Sequence, residues 1–120
     1  MIIITSEEKI IEKLCLLQGI SKEEMLGSRR SPYLGMKKHL SMYLLRHEFE
    51  MSCARIAKML RKDRGSVVYG SKKIEELLES SRYIQNTYAN LKDNFYREIL
   101  KSMCEEHGYR LASSDSLLVY

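Results

Sequence analysis

The chain has 120 residues, 44% hydrophobic and 30% charged, with a net charge of +4. That is enough apolar content for the core of one domain, and it excludes a disordered chain. No apolar run approaches the ~18 residues of a membrane span. The opening MIIIT has no basic n-region, so neither a leader nor a span is expected, and the expected location is cytoplasmic.

Cys15, Cys53 and Cys104 are far apart and make no C-x-x-C pair. Three reduced thiols are the expectation. His39, His47 and His107 complete no ligand set with them, so no metal is expected.

Thr5-x-x-Glu8 has capping-box form and predicts a helix to about Gln18, with Ile10, Ile11, Leu14 and Leu17 on one face and Gly19 at its end. Ser21-x-x-Glu24 opens a short helix closed by Gly27. Ser31 and Pro32 suit the N-cap and first position of a long helix to about Phe49. In it Met36, Leu40, Tyr43, Leu44 and His47 recur at helical spacing. Ser52 caps a helix from Cys53 to Leu60. After a break at Arg61-Lys62, Asp63 favours another start, and Val67, Val68, Ser71, Ile74, Leu77 and Leu78 carry the helix to about Ser80. A last helix covers Arg82 to His107, with Ile84, Tyr88, Leu91, Phe95, Ile99 and Met103 on its apolar side. From Tyr109 to Tyr120 the expectation is a hairpin, or a strand pairing with Ile2–Ile4.

The charge is unevenly placed. From Arg29 to Lys73 there are twelve basic residues against Glu48, Glu50 and Asp63, a net +9. Residues 1–28 carry −2 and residues 74–120 carry −3. A basic centre between acidic flanks is the footprint of a polyanion site.

Two short helices joined by a tight turn read as a helix-turn-helix, whose second helix enters the major groove by its N-terminal end. The residues there suit that task. Gly65 and Ser66 are small enough for close approach. Arg64 can fork onto guanine O6 and N7, and Asp63 can accept from cytosine N4 or hold Arg64 in place. Lys62 and Ser66 can bind phosphates, and Tyr69 and Lys72 can reach the backbone.

The stretch from Arg29-Arg30-Ser31 through "KKHLSMYLLRHEFEMSCARIAKMLRKDRGSVVYGSKKIEEL" resembles the C-terminal DNA-binding domain (domain IV) of the bacterial replication initiator DnaA. That family has a basic loop with an Arg pair, a long helix with a "YLLR"-like stretch, an "R-D-H-[ST]-T-V" signature and a closing "K-K-I-E". Here the signature reads Lys62-Asp63-Arg64-Gly65-Ser66-Val67 and the close Lys72-Lys73-Ile74-Glu75. Upstream, "GISKEEML" is similar to the family's first short helix. The likeness covers roughly residues 8–85.

The resemblance implies an all-α fold of the Trp repressor type and double-stranded DNA as ligand. The Arg at Arg30 would reach the minor groove, and Lys38 and Arg46 would touch the backbone. Asp63, Arg64, Gly65 and Ser66 would read the major groove. The expected DNA-binding set is Arg29, Arg30, Lys37, Lys38, His39, Arg46, Lys62, Asp63, Arg64, Gly65, Ser66, Tyr69 and Lys72. The family's His is Arg64 here, its first Thr is Gly65, and the turn before the signature is one residue shorter than in many members. The family's own target sequence is therefore not expected to carry over; Arg64 points to guanine at its step.

The expected organisation is a helix-turn-helix DNA-binding domain over residues 1–85, with residues 86–120 as a helical extension and short tail packed on it. Tyr88, Tyr96, Leu91 and Phe95 of the extension would pack on the core first; a homodimer contact is the alternative. No G-x-x-x-x-G-K-[ST] loop occurs, so no ATPase module is expected. No nucleophile–base pair or carboxylate cluster marks an enzyme, and neither a cofactor nor a small-molecule substrate is evident. The function expected is a stand-alone, sequence-specific regulator of transcription or replication, of the kind a phage or mobile element encodes. The alternative is a protein-interaction module with only weak, nonspecific DNA binding.

Overall fold

Five serines and one aspartate set where the helices begin. The computed structural model describes residues 6–29, 31–107, 110–112 and 116–118. It contains α1 (Glu7–Gln18), α2 (Lys22–Leu26), α3 (Pro32–Glu48), α4 (Cys53–Leu60), α5 (Arg64–Ser80) and α6 (Arg82–His107). Each has a side-chain cap. Ser6, Ser21, Ser31, Ser52, Asp63 and Ser81 accept from the backbone N–H three residues on, at 2.7–3.2 Å. Such caps satisfy donors that the first turn leaves free.

The expected starts hold at Ser21, Ser31, Ser52 and Asp63, and the reciprocal box at Ser21 and Glu24 is complete. The start of α1 differs. Thr5 lies outside the described residues, and Ser6 is the cap. The third helical residue is then Lys9, which has no carboxylate to return the bond. α5 begins at Arg64, behind its Asp63 cap, and Lys62 belongs to the turn.

The chain is all-α apart from one small hairpin. β1 (Arg110–Ala112) pairs antiparallel with β2 (Ser116–Leu118), Leu111 opposite Leu117. The hairpin is therefore present; the expected pairing with Ile2–Ile4 lies outside the described residues. No helix among the described residues is long and apolar enough to cross a membrane.

The core runs through all six helices. Ile10, Leu14, Met25, Leu44, Leu45, Ile56, Leu60, Val67, Ile74, Phe95 and Ile99 are fully enclosed or nearly so. α5 lies along α3, and α6 closes the bundle against α1 and α5. Tyr88, Leu91 and Phe95 are buried there and Tyr96 packs beside them, so these side chains go to their own core. They offer no apolar face for the dimer alternative.

The α3–α6 junction is aromatic. Phe49 meets Phe95 edge-on at 5.4 Å and Tyr96 at 5.0 Å. Tyr88 and Tyr96 donate their hydroxyls to the Glu48 carboxylate at 3.4 and 3.3 Å. Burial first, then the Glu48 charge, pushes both phenols above their ordinary range. Cys15, Cys53 and Cys104 are free, as expected, and Cys15 is buried with its thiol pushed up by that burial.

Candidate nucleic-acid interface

The turn between α4 and α5 is built from three residues. Arg61 takes a left-handed conformation (φ 56°, ψ 45°). Lys62 N–H then reaches the Ala57 carbonyl at 2.9 Å and Arg61 N–H the Lys58 carbonyl at 3.4 Å. This is the Schellman ending, in which glycine is the usual left-handed residue. Asp63 follows at once, its Oδ1 accepting from Ser66 N–H at 2.7 Å. Those hydrogen bonds hold the exposed Asp63 carboxyl below its ordinary pKa.

Two lysines hold the loop before α3, Lys62 from this turn and Lys38 from α3 itself. Lys62 Nζ donates to the carbonyls of Leu26, Gly27 and Leu60 at 3.1, 2.9 and 3.2 Å. Lys38 Nζ, on α3, donates to Gly27 and Arg29 carbonyls at 3.1 and 3.3 Å. The Gly27 carbonyl thus serves both. Burial lowers the pKa of each ammonium, and at Lys62 the charges of Lys38 and Arg61 lower it further. All three Lys62 donors are engaged. Lys62, expected as a phosphate contact, is here a tether between the turn and the loop. Lys38, buried, acts on the loop in the same way.

The tethers shape a cleft of about 660 Å³ between the 27–31 loop, α3 and the start of α5. Of the expected set it brings together Arg29, Lys38, His39, Lys62, Asp63, Ser66 and Tyr69. Arg29, Asp63 and Tyr69 are exposed there. Arg64, Gly65 and Lys72 lie exposed on α5 beside it. Arg30 lies outside the described residues.

His39 and Tyr69 form one unit. Their rings meet edge-on at 5.9 Å, and Lys73 Nζ sits 5.9 Å from the Tyr69 ring centre. His39 also presses on Gly70: a Cβ there would come within 2.5 Å of the imidazole Cδ2 and 2.9 Å of Met42 Sδ. Gly70 is what lets α5 approach α3 so closely. Burial, then Lys73 and Lys38, lowers the His39 pKa, which favours a neutral ring. His39 therefore supports Tyr69 from below.

Two expected residues stand apart. Lys37 is on the other side of α3, donating to the Gln18 carbonyl at 2.6 Å with its ammonium 4.6 Å from the Tyr33 ring centre. That side holds a second cleft of about 380 Å³, with Leu17, Tyr33, Leu40 and Tyr83 in its walls and Lys37 its one charged lining residue. Arg46 is exposed on the His39 side of α3, about 10 Å further along the helix. Arg61, by contrast, lines the basic cleft and is exposed, although it is absent from the expected set. Its signal was an arginine in the turn where a helix ending favours glycine.

The arrangement presents cations on a concave edge and a capped helix start beside it. It holds no group of three His, Cys, Asp or Glu placed for a metal among the described residues. Its chemistry is that of a polyanion held by arginines, with a helix end free to enter a groove.

Comparison with known proteins gives a family. The family model described as the bacterial dnaA protein helix-turn-helix matches residues 7–74, from the start of α1 to the middle of α5. The chromosomal replication initiator protein DnaA of Thermus thermophilus is 31% identical over 86 residues, 71% of this chain and 20% of that protein. The same protein of Pseudothermotoga lettingae is 28% identical over 78 residues, 65% of this chain and 18% of its own length. That of Chloroflexus aurantiacus is 29% identical over 89 residues, 73% and 19% respectively. The chain spans about a fifth of the length of the curated relatives it matches.

Proposed function

Since this chain belongs to the bacterial DnaA helix-turn-helix family, we propose that it binds double-stranded DNA and reads its sequence. α5 enters the major groove by its N-terminal end, with Arg64, Gly65 and Ser66 toward base edges and Asp63 capping the helix behind them. The Arg29–Arg30 loop follows the adjacent backbone or minor groove, and Arg61 and Lys72 take phosphates. Its output is regulation of transcription or replication, with no ATPase activity in these 120 residues.

The observation that carries this reading is the cleft itself. The loop with Arg29, the middle of α3, and the turn and α5 start that follow Arg61 meet there from three separate segments. Lys38 and Lys62 hold the loop in place from within. A structure that commits one buried lysine and one half-buried lysine to positioning one basic loop favours a rigid polyanion at a defined geometry.

Selection from a randomised duplex pool at moderate salt tests it. An enriched motif, with a log–log salt slope of roughly −5 for about six phosphate contacts, is the expected result. Retention without a motif would leave nonspecific binding. No retention would sink the proposal and favour a protein partner.

A further inference from the structure

Gly65 has no structural reason to be glycine. It is the second residue of α5, where glycine weakens a helix relative to alanine. Its φ is not positive, unlike that of Gly19. A Cβ at position 65 would meet only Asp63 Oδ1, at an ordinary 3.4 Å. Gly70 on the same helix is the contrast, since there the His39 ring blocks any side chain.

Val68 has no packing reason to be valine. Val67 is the enclosed one; Val68 is 43% exposed, and a β-branched residue gains nothing for a solvent-facing helix position. Helix side chains lean toward the N-terminus and cover the preceding turn. Val68, three residues on, therefore leans back over the turn that begins at Gly65, while the space of a Gly65 Cβ stays open, with only Asp63 Oδ1 within 4 Å of it. Arg64 and Lys72, one turn before and after, are exposed on the same face. An apolar spot with an open notch thus sits among cations, in the half of the helix that would enter the groove.

The major-groove edge of the base pairs offers one apolar group, the C5-methyl of thymine. We propose that Val68 and the bare backbone at Gly65 form a seat for a pyrimidine C5-methyl, selecting thymine beside the base pair that Arg64 contacts. This rests on the DNA-reading function above and adds a specificity determinant to it. Arg64 supplies the polar half of the discrimination and the seat the apolar half.

The test uses the duplex recovered by selection, with each thymine replaced in turn by deoxyuridine, which removes the methyl and keeps every hydrogen-bonding edge. Wild type is expected to lose about fourfold in affinity at one position, the effect of one buried methyl group. Val68→Ala should erase that difference at that position and leave the salt slope unchanged. Gly65→Ala should erase it too while raising the Tm, which separates a filled notch from a damaged fold. A selected motif bound equally well with uracil at every position would overturn the seat and leave DNA reading intact. So would a Val68→Ala protein that keeps the thymine preference. No motif at all would overturn both, by a visibly different result.

Discussion

Lys62 Nζ donates to the Gly27 carbonyl at 2.9 Å, joining two segments 35 residues apart in sequence. The bond makes the helix-turn-helix and the basic loop one rigid unit. It also separates two kinds of lysine and arginine that look alike in sequence: those that shape the site and those that face what binds it.

Lys62→Met should therefore behave unlike Arg61→Ala. Losing the tether removes the Lys62 donor from the Leu26 and Leu60 carbonyls, for about 1–2 kcal/mol of stability. DNA affinity should fall while the salt slope stays near its wild-type value. Arg61→Ala should keep stability and reduce the slope by about one unit. Titrations over a salt series, with thermal melts, check both. A slope reduced by Lys62→Met would return Lys62 to the phosphate contacts.

Arg61 holds a left-handed conformation that glycine adopts without strain. Arg61→Gly should raise stability by about 0.5–1 kcal/mol, the strain relieved less the extra freedom of the unfolded chain. It should weaken DNA binding at the same time. Urea unfolding and a binding isotherm on one preparation would show the opposed changes.

At Gly70 a methyl group would collide with the His39 ring and Met42. Gly70→Ala should destabilise by about 1–3 kcal/mol through overpacking, against the usual helix preference for alanine. Gly65→Ala, five residues earlier in α5, should do the reverse. A melt of each variant decides it.

His39 gives a pH dependence with a definite sign. Its folded pKa lies below the ordinary 6.5. As pH falls below that value, the unfolded chain takes up the proton first, so the unfolded state binds more protons and stability drops. The loss continues until the folded imidazole also protonates. His39→Gln should flatten this part of the profile. Denaturant midpoints between pH 7.5 and 5 would reveal a wild-type decline that the variant lacks; identical profiles would refute it.

The side chains of α6 fill the common core. Phe95 is fully enclosed and meets Phe49 at 5.4 Å. Phe95→Ala should cost about 3–5 kcal/mol and lower the single unfolding transition of the whole bundle. A separate transition for α6 alone would show that residues 86–120 fold apart from the rest.

Much of this fold was readable because helix starts are local. Ser21, Ser31, Ser52 and Asp63 each bond a backbone N–H three residues on, and such signals need no tertiary information. The α1 start was ambiguous because Thr5 and Ser6 are adjacent and both can cap. The surface proposed to face DNA shows in the sequence as a basic block with small residues at a helix start. The roles of Lys38 and Lys62 were not, because the upstream carbonyls of Leu26, Gly27 and Arg29 that they bond lie 9 to 36 residues away. Nor was Gly70, whose reason is the His39 ring on another helix, or the position of Lys37 on the far side of α3. Side-chain chemistry alone does not say which way a lysine turns.

The most direct test of the account is an amide-resolved NMR titration of the labelled protein with its selected duplex. The shifts should gather at Ser28 and Arg29, across Arg61 to Tyr69, and at Lys72, leaving the Leu17–Tyr33–Tyr83 side unmoved. Shifts confined to that opposite side, with the basic cleft unchanged, would contradict it.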